Sequence, residues 1–210
     1  MKKTFFLVED HSLMRQGISN YLCTEGDYGC AGCTDNAQEA LAMLEQLAAQ
    51  GEAPAVLITD LNLGTDTEDG IRLLRICRER YPDIKVIVYS MYASAGVVNL
   101  SLEAGASAYV SKADDERELV KAMGKVLAGE SYLARSVVPK LLTYQNIVEG
   151  FSRREKEILT LVLQGLPNKQ IAERLGIHKR AVENYISRIY DKTGFSTRAE
   201  LVDQLSLEEL

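Results

Sequence analysis

Four short apolar runs in the first half of the chain are followed by side chains that can carry chemistry. The runs lie near residues 4–8, 55–59, 85–89 and 108–111. At or near their ends, in chain order, are an acid pair, a single aspartate, a serine, and a tyrosine with a lysine. These residues are Glu9 and Asp10, Asp60, Ser90, and Tyr109 with Lys112. β-Branched runs of this length are typical of buried parallel strands. The carboxyl ends of such strands meet at one edge of a sheet, where ligands bind. We expect these side chains to converge on a pocket that holds a hard divalent cation and a phosphoryl group together.

Residues 4–125 alternate strand and helix five times. Strands are predicted near 4–8, 28–33, 55–59, 85–89 and 108–111. Apolar residues three and four apart predict helices near 12–24, 36–49, 70–81, 94–104 and 114–128. This alternation predicts an α/β fold with a doubly wound, five-stranded parallel sheet of the flavodoxin-like kind, covered on both faces.

The pattern changes after Gly129. Residues 130–150 read as a connector with a short apolar helix, and four helical stretches follow from Phe151 onward. Ser152 and Glu155 have the spacing of a capping box, and a turn at Gly176 joins two of the helices as in a helix-turn-helix. We therefore predict three segments: an α/β domain over 1–128, a linker over 129–149, and a small all-α four-helix helix-turn-helix domain over 150–210.

The charge is unevenly distributed. The net charge of −6 combines 14 basic and 21 acidic residues in positions 1–150 with 10 basic and 9 acidic residues in positions 151–210. Five basic and two acidic residues lie between Ile177 and Arg198. An acidic first domain followed by a locally basic helix favours nucleic-acid binding.

The amino terminus begins like a signal peptide, but Glu9 and Asp10 interrupt its apolar run too early. No segment is long and apolar enough to predict a membrane span, so a cytoplasmic protein is expected. Cys30 and Cys33 form a Cys-x-x-Cys pair, but positions three apart on a regular strand point to opposite faces. We expect these cysteines to be small strand residues, with a redox or metal-binding role as the less favoured alternative.

The residue types at the sheet edge suggest definite roles. Glu9 and Asp10 offer the oxygen ligands that Mg²⁺ prefers, and Asp60 can attack phosphorus to give an aspartyl phosphate. Lys112 can pair with one phosphoryl oxygen while Ser90 donates a hydrogen bond to another. Ordinary polar residues at strand ends are the alternative. For His11, a structural or contact role is favoured over metal binding, because Mg²⁺ disfavours imidazole.

Residues 4–128 resemble the receiver domain of two-component response regulators. Three stretches carry the resemblance: Val8–Gly17, Leu57–Leu63 and Glu103–Lys112. It implies phosphotransfer from a sensor histidine kinase to Asp60, with the main-chain carbonyl of Asn62 as a further Mg²⁺ ligand. It also implies that Ser90 and Tyr109 form a switch pair, in which the hydroxyl moves toward phosphate while the ring turns inward.

Three positions depart from the receiver pattern. Glu9 stands where aspartate is commoner, so it can reach the metal through water. The loop 63–70 is about two residues longer than usual and lacks the family's proline. Ala113 follows Lys112 where many receivers carry proline, although this subfamily often lacks it.

Residues 151–205 resemble the DNA-binding domain of NarL/FixJ regulators, which carry a LuxR-type helix-turn-helix. The matching stretches are Ser152–Glu155, Gly165, Asn168–Ala172, Leu175–Gly176, Val182–Asn184 and Lys192–Phe195. The spacing of Val182, Ile186 and Ile189 predicts a buried stripe on the third helix. Polar and basic side chains of the domain are then available to read bases or hold phosphates: Lys169, Lys179, Arg180, Glu183, Asn184, Ser187, Arg188 and Lys192.

This helix also departs from its family. His178 and Ala181 stand where hydroxyl residues are usual, Tyr185 replaces histidine, and Glu183 replaces a basic residue. Glu183 would repel phosphate unless it accepts a hydrogen bond from cytosine. We therefore expect the operator sequence to differ from those of relatives.

These observations predict a transcription factor that is phosphorylated on Asp60 by a sensor histidine kinase with Mg²⁺ and that binds double-stranded DNA as a homodimer. One alternative is a DNA-binding regulator that is independent of phosphorylation. Another is a phosphotransfer or protein-interaction module. A free-standing enzyme is not expected, and neither is a membrane partner.

Overall fold

The computed structural model describes residues 3–26, 28–63, 69–163 and 165–205, which divide into two compact units. The first elements are β1 (Thr4–Val8), α1 (Ser12–Glu25), β2 (Gly29–Thr34), α2 (Ala37–Ala49), β3 (Val56–Thr59), α3 (Asp69–Arg80), β4 (Lys85–Ser90) and α4 (Ala95–Ala104). The remaining elements are β5 (Ala108–Ser111), α5 (Arg117–Leu127), β6 (Tyr132–Leu133), α6 (Val138–Glu149), α7 (Arg153–Leu163), α8 (Asn168–Leu175), α9 (Lys179–Thr193) and α10 (Arg198–Leu205).

The described strands form one parallel sheet in the order β2-β1-β3-β4-β5-β6. The apolar residues of β1 and β3 are almost completely buried, for example Phe5, Phe6 and Ile58 at 0 % exposure. Burial on both faces explains why these strands read as continuous apolar runs rather than as alternating ones. The five predicted strands are confirmed, and their carboxyl ends lie at one edge.

The sixth strand comes from the segment that sequence analysis assigned to the connector. Tyr132 and Leu133 pair in parallel with Ala108 and Tyr109 of β5. Two residues are too few to give a periodic pattern, so the sequence offered no signal for this strand. The short apolar helix predicted in the connector is present as α6.

A bulge in β2 corrects the expected orientation of the Cys-x-x-Cys pair. Cys30 is opposite Phe5 and Cys33 is opposite Leu7, and the register shifts between these pairs. Because Phe5 and Leu7 are two apart on β1, both cysteines lie on the same face of the sheet. Both are exposed free thiols, so the regular alternation assumed from sequence is wrong here.

The second unit has the four helices α7–α10 around one apolar core. The predicted stripe of Val182, Ile186 and Ile189 is buried in it, together with residues of α7, α8 and α10. Glycines in the left-handed region end α8 and α9, with φ of 63° at Gly176 and 75° at Gly194. Such C-caps explain why both helices stop where they do.

The predicted capping box is also present. The main-chain N–H of Ser152 donates to Glu155 Oε2 at 2.7 Å, and the N–H of Glu155 donates to Ser152 Oγ at 3.3 Å. These reciprocal bonds satisfy donors that would otherwise be unpaired at the start of α7. In the described part of the chain, no helix combines the length and the apolar character that crossing a bilayer demands.

Candidate functional site

Asp60 directly follows β3 and is 5 % exposed. Its Oδ1 accepts hydrogen bonds from the Leu61 N–H and from Ser90 Oγ, both at 2.6 Å. Its Oδ2 accepts from Lys112 Nζ, also at 2.6 Å. Donors from three different segments thus hold this carboxylate at the carboxyl edge of the sheet, in the pocket that the sequence predicts.

Lys112 lies between two carboxylates. Its ammonium is 2.6 Å from Glu9 Oε2 and 2.6 Å from Asp60 Oδ2, and its side chain is only 2 % exposed. Burial by itself would lower the pKa of Lys112, but the hydrogen bonds to Asp60 and Glu9 outweigh it and hold the pKa above its usual value. Lys112 therefore stays positively charged and can face a phosphoryl oxygen.

The site keeps an excess of negative charge. The buried carboxylates of Glu9 and Asp60 share one ammonium, that of Lys112, and the partly exposed Asp10 next to Glu9 adds a third carboxylate. Buried carboxylates without a matching cation are costly, and a divalent cation would balance the two charges that Lys112 leaves. The residues present therefore fit an oxygen-ligated metal such as Mg²⁺.

The acid pair and the adjacent histidine are close together. Ligand atoms of Glu9, Asp10 and His11 all lie within 4.8 Å of one another, and they form the one such group of three among the described residues. His11 Nδ1 is 2.7 Å from Asp10 Oδ1, but the imidazole is 74 % exposed. Asp60 is outside this cluster, so in this structure it contacts Lys112 and Ser90 more closely than it does the acid pair.

Ser90 and Tyr109, the switch pair expected from the resemblance, are both fully buried. Ser90 is fully buried and directs its hydroxyl at Asp60. The Tyr109 ring is also fully buried, and its hydroxyl donates to the main-chain carbonyl of Tyr92. The N–H of Tyr92 is in turn 3.4 Å from Ser90 Oγ. The loop after β4 therefore connects Ser90 with Tyr109 through Tyr92.

A cavity of about 170 Å³ opens beside Asp60 and Lys112. Asn62 lines it, with its amide Nδ2 3.5 Å from the Tyr92 hydroxyl. Sequence analysis missed three further lining residues, because nothing in their type marks them as functional: Met14, Met91 and Tyr92. Their positions were the available signal: Met14 comes four residues after Asp10, and Met91 and Tyr92 come one and two residues after Ser90. The long loop expected at 63–70 falls mostly on Gly64–Glu68, outside the described residues.

Gly70, near the start of α3, packs closely against the main chain of Leu61, the residue after Asp60. A methyl group at this position would lie 2.5 Å from Cα and 2.8 Å from the carbonyl carbon of Leu61. Real contacts are never so short, so α3 can approach Leu61 this closely only because residue 70 is glycine. The same Leu61 donates its N–H to Asp60.

The polar face of α9 is exposed, as predicted. The side chains of Glu183, Asn184, Ser187 and Arg188 are all on the surface, opposite the buried stripe. Two of these side chains have partners within the domain. Glu183 forms an ion pair with Lys179 at 3.3 Å, and the Arg188 guanidinium lies 5.6 Å from the centre of the Tyr185 ring. Lys169 and Arg180 are exposed as well.

Lys192 makes contacts that sequence analysis did not foresee. Its Nζ donates to Glu155 Oε2 at 2.8 Å and to the Gly150 carbonyl at 2.9 Å. The hydrogen bond from Lys192, followed by that from the Ser152 N–H, lowers the pKa of Glu155 to about 2. Lys192 therefore joins the end of α9 to the start of α7, and its charge is partly neutralised within the domain.

Two family models match the chain and together span most of it. Residues 5–124 match the response regulator receiver domain, and residues 149–205 match the bacterial regulatory proteins of the luxR family. The chain belongs to the LuxR-type response regulators. The predicted fold class, an α/β domain followed by a small helix-turn-helix domain, is thereby confirmed.

Relatives of this response regulator match it over nearly their whole length. It is 32 % identical to the DNA-binding transcriptional activator DevR/DosR of Mycobacterium tuberculosis, over 93 % of this chain and 90 % of that protein. It is 28 % identical to the nitrate/nitrite response regulator protein NarL of Escherichia coli, over 94 % and 92 %. A solved structure of two RcsB dimers bound to two parallel DNAs has the same fold, with a TM-score of 0.73, 22 % identity and 98 % of each chain covered.

Proposed function

We propose that this response regulator is a transcription factor switched by phosphorylation of Asp60 by a sensor histidine kinase. The observation that carries the proposal is the set of donors around one buried carboxylate: Lys112, Ser90 and the Leu61 N–H all lie 2.6 Å from Asp60 oxygens. A carboxylate oxygen that attacks phosphorus needs nearby positive charge and hydrogen-bond donors for the phosphoryl oxygens. The site supplies both.

In the proposed transfer, an oxygen of Asp60 forms a bond to phosphorus while the bond between phosphorus and the kinase imidazole breaks. Lys112 is held in place by Glu9 and remains near the new phosphoryl group, where it pairs with a phosphoryl oxygen. The Ser90 hydroxyl then donates to the phosphoryl oxygen instead of Asp60 Oδ1. We propose that the chemistry of this chain is limited to accepting and losing this group.

We propose that Mg²⁺ is held by the carboxylates of Glu9, Asp10 and Asp60 and by the main-chain carbonyl of Asn62. When bound, Mg²⁺ supplies charge neutralisation for phosphoryl oxygens that approach three carboxylates. The excess of negative charge at the site and the all-oxygen character of these ligands support it. His11 is not proposed as a ligand.

We propose that α9 enters the major groove of double-stranded DNA. Its exposed side chains include one that can read adenine, Asn184, and cations that can hold phosphates. In this proposal Lys192 contacts both DNA and Glu155. The proposed interface consists of all the residues named from the sequence: Lys169, Lys179, Arg180, Glu183, Asn184, Ser187, Arg188 and Lys192. One helix reads only a few base pairs, so we propose a homodimer on two half-sites. The DNA-bound dimers of the similarly folded RcsB support this.

We propose the domain boundaries expected from sequence, with the receiver over 1–128, the linker over 129–149 and the DNA-binding domain over 150–210. The ranges of the two family matches support them.

Two experiments test this function. The first incubates the protein with Mg²⁺ and a small phosphodonor and compares wild type with Asp60→Asn and with the exposed control Asp83→Asn. We expect incorporation to be lost in Asp60→Asn and retained in Asp83→Asn. Undiminished incorporation in Asp60→Asn would contradict the assignment of the phosphoacceptor, and incorporation that survives metal chelation would remove the role given to Glu9 and Asp10.

The second experiment selects DNA from a random pool with and without beryllofluoride and Mg²⁺. We expect an enriched two-half-site sequence whose affinity depends on beryllofluoride. Equal enrichment in both arms would support the alternative of a regulator independent of phosphorylation. No enrichment in either arm would favour a phosphotransfer or protein-interaction module.

A further inference from the structure

The Cys-x-x-Cys pair of β2 has no part in the proposed function. Cys30 and Cys33 are exposed free thiols on the end strand of the described sheet. The shift in register places Cys30 opposite Phe5 and Cys33 opposite Leu7, so both thiols project from one face of the sheet. On a regular strand, positions three apart would project from opposite faces. The bulge therefore creates an accessible pair of thiols.

The surroundings of Gly32 support this arrangement. A methyl group on Gly32 would lie 2.7 Å from the Phe6 ring and 3.2 Å from Cε of Met43 on α2. Gly32 thus faces α2, and Cys33, the next residue on the strand, faces the other way. The thiol of Cys30 donates to the Gly32 carbonyl at 3.5 Å, so this side chain leans along the strand toward Cys33.

The spacing of the pair favours a bridging ion over a disulfide. Phe5 and Leu7 are separated by two residues of strand, about 6.6 Å, and the Cβ atoms of the two cysteines opposite them are about as far apart. A disulfide holds its Cβ atoms about 3.5–4.5 Å apart and its sulfurs about 2.0 Å apart. An ion with bonds of about 2.3 Å to each of two thiolates holds the sulfurs up to about 4.6 Å apart. The ion therefore extends the Cβ separation to about 6–7 Å, which matches the strand.

The number of ligands selects the kind of ion. A structural zinc site takes four ligands. Among the residues that the structure describes, the one group of three cysteine, histidine or carboxylate ligands close to one another is Glu9, Asp10 and His11. No third ligand of these types therefore joins the cysteines in the described part of the chain. Thiolates are soft ligands that select Cu⁺, and Cu⁺ accepts two of them in a linear arrangement.

We propose that Cys30 and Cys33 form a two-thiolate site for Cu⁺. On binding, each thiol releases its proton to solvent and each thiolate donates an electron pair to the ion, whose oxidation state does not change. The site lies on β2, whereas Asp60 follows β3. The proposal therefore goes beyond the proposed function and does not depend on it.

The test titrates the reduced full-length protein with Cu⁺ without oxygen, in competition with a chromogenic Cu⁺ chelator. We expect one Cu⁺ per chain and protection of two thiols from a chromogenic disulfide reagent. Cys30→Ser and Cys33→Ser should each lower the affinity at least about tenfold, because loss of an outer-shell partner alone costs that much. Wild-type protein that binds Cu⁺ no more tightly than either variant would overturn the proposal.

Two controls separate a built site from adventitious binding to surface thiols. Cys23→Ser removes a half-buried cysteine of α1 and should keep the wild-type affinity. The double variant Cys33→Ser/Asp83→Cys keeps two exposed thiols, but the second lies before β4, three strands from β2 and about 14 Å away. We expect it to bind as weakly as Cys33→Ser, and wild-type affinity in this variant would show adventitious binding only.

A thiol–disulfide exchange experiment tests the spacing directly. Oxidised glutathione can take two electrons and two protons from the pair, which yields an intrachain disulfide and two molecules of reduced glutathione. We expect this disulfide to form more slowly in the folded protein than in the urea-unfolded chain, as followed by the mass of the peptide that contains both cysteines. Faster formation in the folded protein would show that the thiols lie closer than the strand register implies, and it would replace the Cu⁺ site by a redox pair.

Discussion

Substitution of Gly70 by alanine tests whether the close approach of α3 to Leu61 shapes the proposed phosphoacceptor site. The new methyl group would meet the Leu61 main chain at 2.5 Å from Cα, and main chain cannot turn aside as a flexible side chain can. Overpacking of this kind costs about 1–3 kcal/mol. The gain in helix propensity from glycine to alanine is at most about 1 kcal/mol, and less at the start of a helix. We therefore expect a net loss of stability of about 1–2 kcal/mol.

The functional effect should exceed the loss of stability. A shift of Leu61 moves the N–H that lies 2.6 Å from Asp60 Oδ1, and a hydrogen bond to a charged group contributes about 1.5–3 kcal/mol. We expect the initial rate of phosphoryl incorporation from a small phosphodonor to fall about tenfold or more, since about 1.4 kcal/mol corresponds to a factor of ten. Urea unfolding and incorporation of labelled phosphate would measure the two effects in the same preparations.

Gly124→Ala is the matched control. Gly124 lies within α5, and a methyl group there would meet nothing within 4 Å. This variant should gain up to about 1 kcal/mol and keep the wild-type rate of incorporation. If Gly70→Ala were as stable as Gly124→Ala and incorporated phosphate at the same rate, the contact with Leu61 would not constrain the site.

Four further predictions concern the DNA-binding domain. Because the pKa of Glu155 is lowered from 4.5 to about 2, the contribution of Glu155 to stability is present above about pH 4.5 and is lost as the pH falls toward 2. Glu155→Gln should therefore cost about 1–2 kcal/mol near pH 7, a range that allows for screening of the ion pair by solvent at the half-exposed Lys192. Urea unfolding should show that the stability difference between wild type and this variant shrinks below pH 4.5. Asn184→Ala should lose about 1–3 kcal/mol at the selected site and little on random DNA, and an equal loss on both would mean that α9 is oriented differently in the groove. Lys192→Ala should lower the salt slope of binding by less than about one unit, because Glu155 already neutralises part of its charge, and a full unit would show that DNA displaces Glu155. A footprint restricted to one half-site at saturating protein would refute the dimer.

The polar residues at the strand ends were predictable because their chemistry requires them to be where buried strands end. The structure brings Asp60 into contact with Ser90 and Lys112. Each of them lies at or near the end of an apolar run, and the carboxyl ends of parallel strands meet at one edge of the sheet. The buried stripe of α9 was predictable for a similar reason, since its apolar residues recur at helical spacing and are buried.

The features that sequence analysis missed depend on contacts between distant segments. Tyr92 lines the cavity because its loop is held by Ser90 and Tyr109, and no local pattern encodes that. The bulge in β2 shifts the register of Cys33 by one position without changing residue types. Lys192 contacts Glu155 across 37 residues, which no helical periodicity can indicate.

The pairing of Tyr132 and Leu133 with β5 also has a consequence for association of the receiver with itself. A strand edge that is left open offers unpaired N–H and carbonyl groups to another chain, and β5 would present such an edge without its short neighbour. Ala134 and Val137 are completely buried in the intact chain, so a receiver cut after residue 128 would lose two apolar contacts along with its edge cover. A receiver fragment that ends after Val137 should remain monomeric at concentrations at which the shorter fragment aggregates.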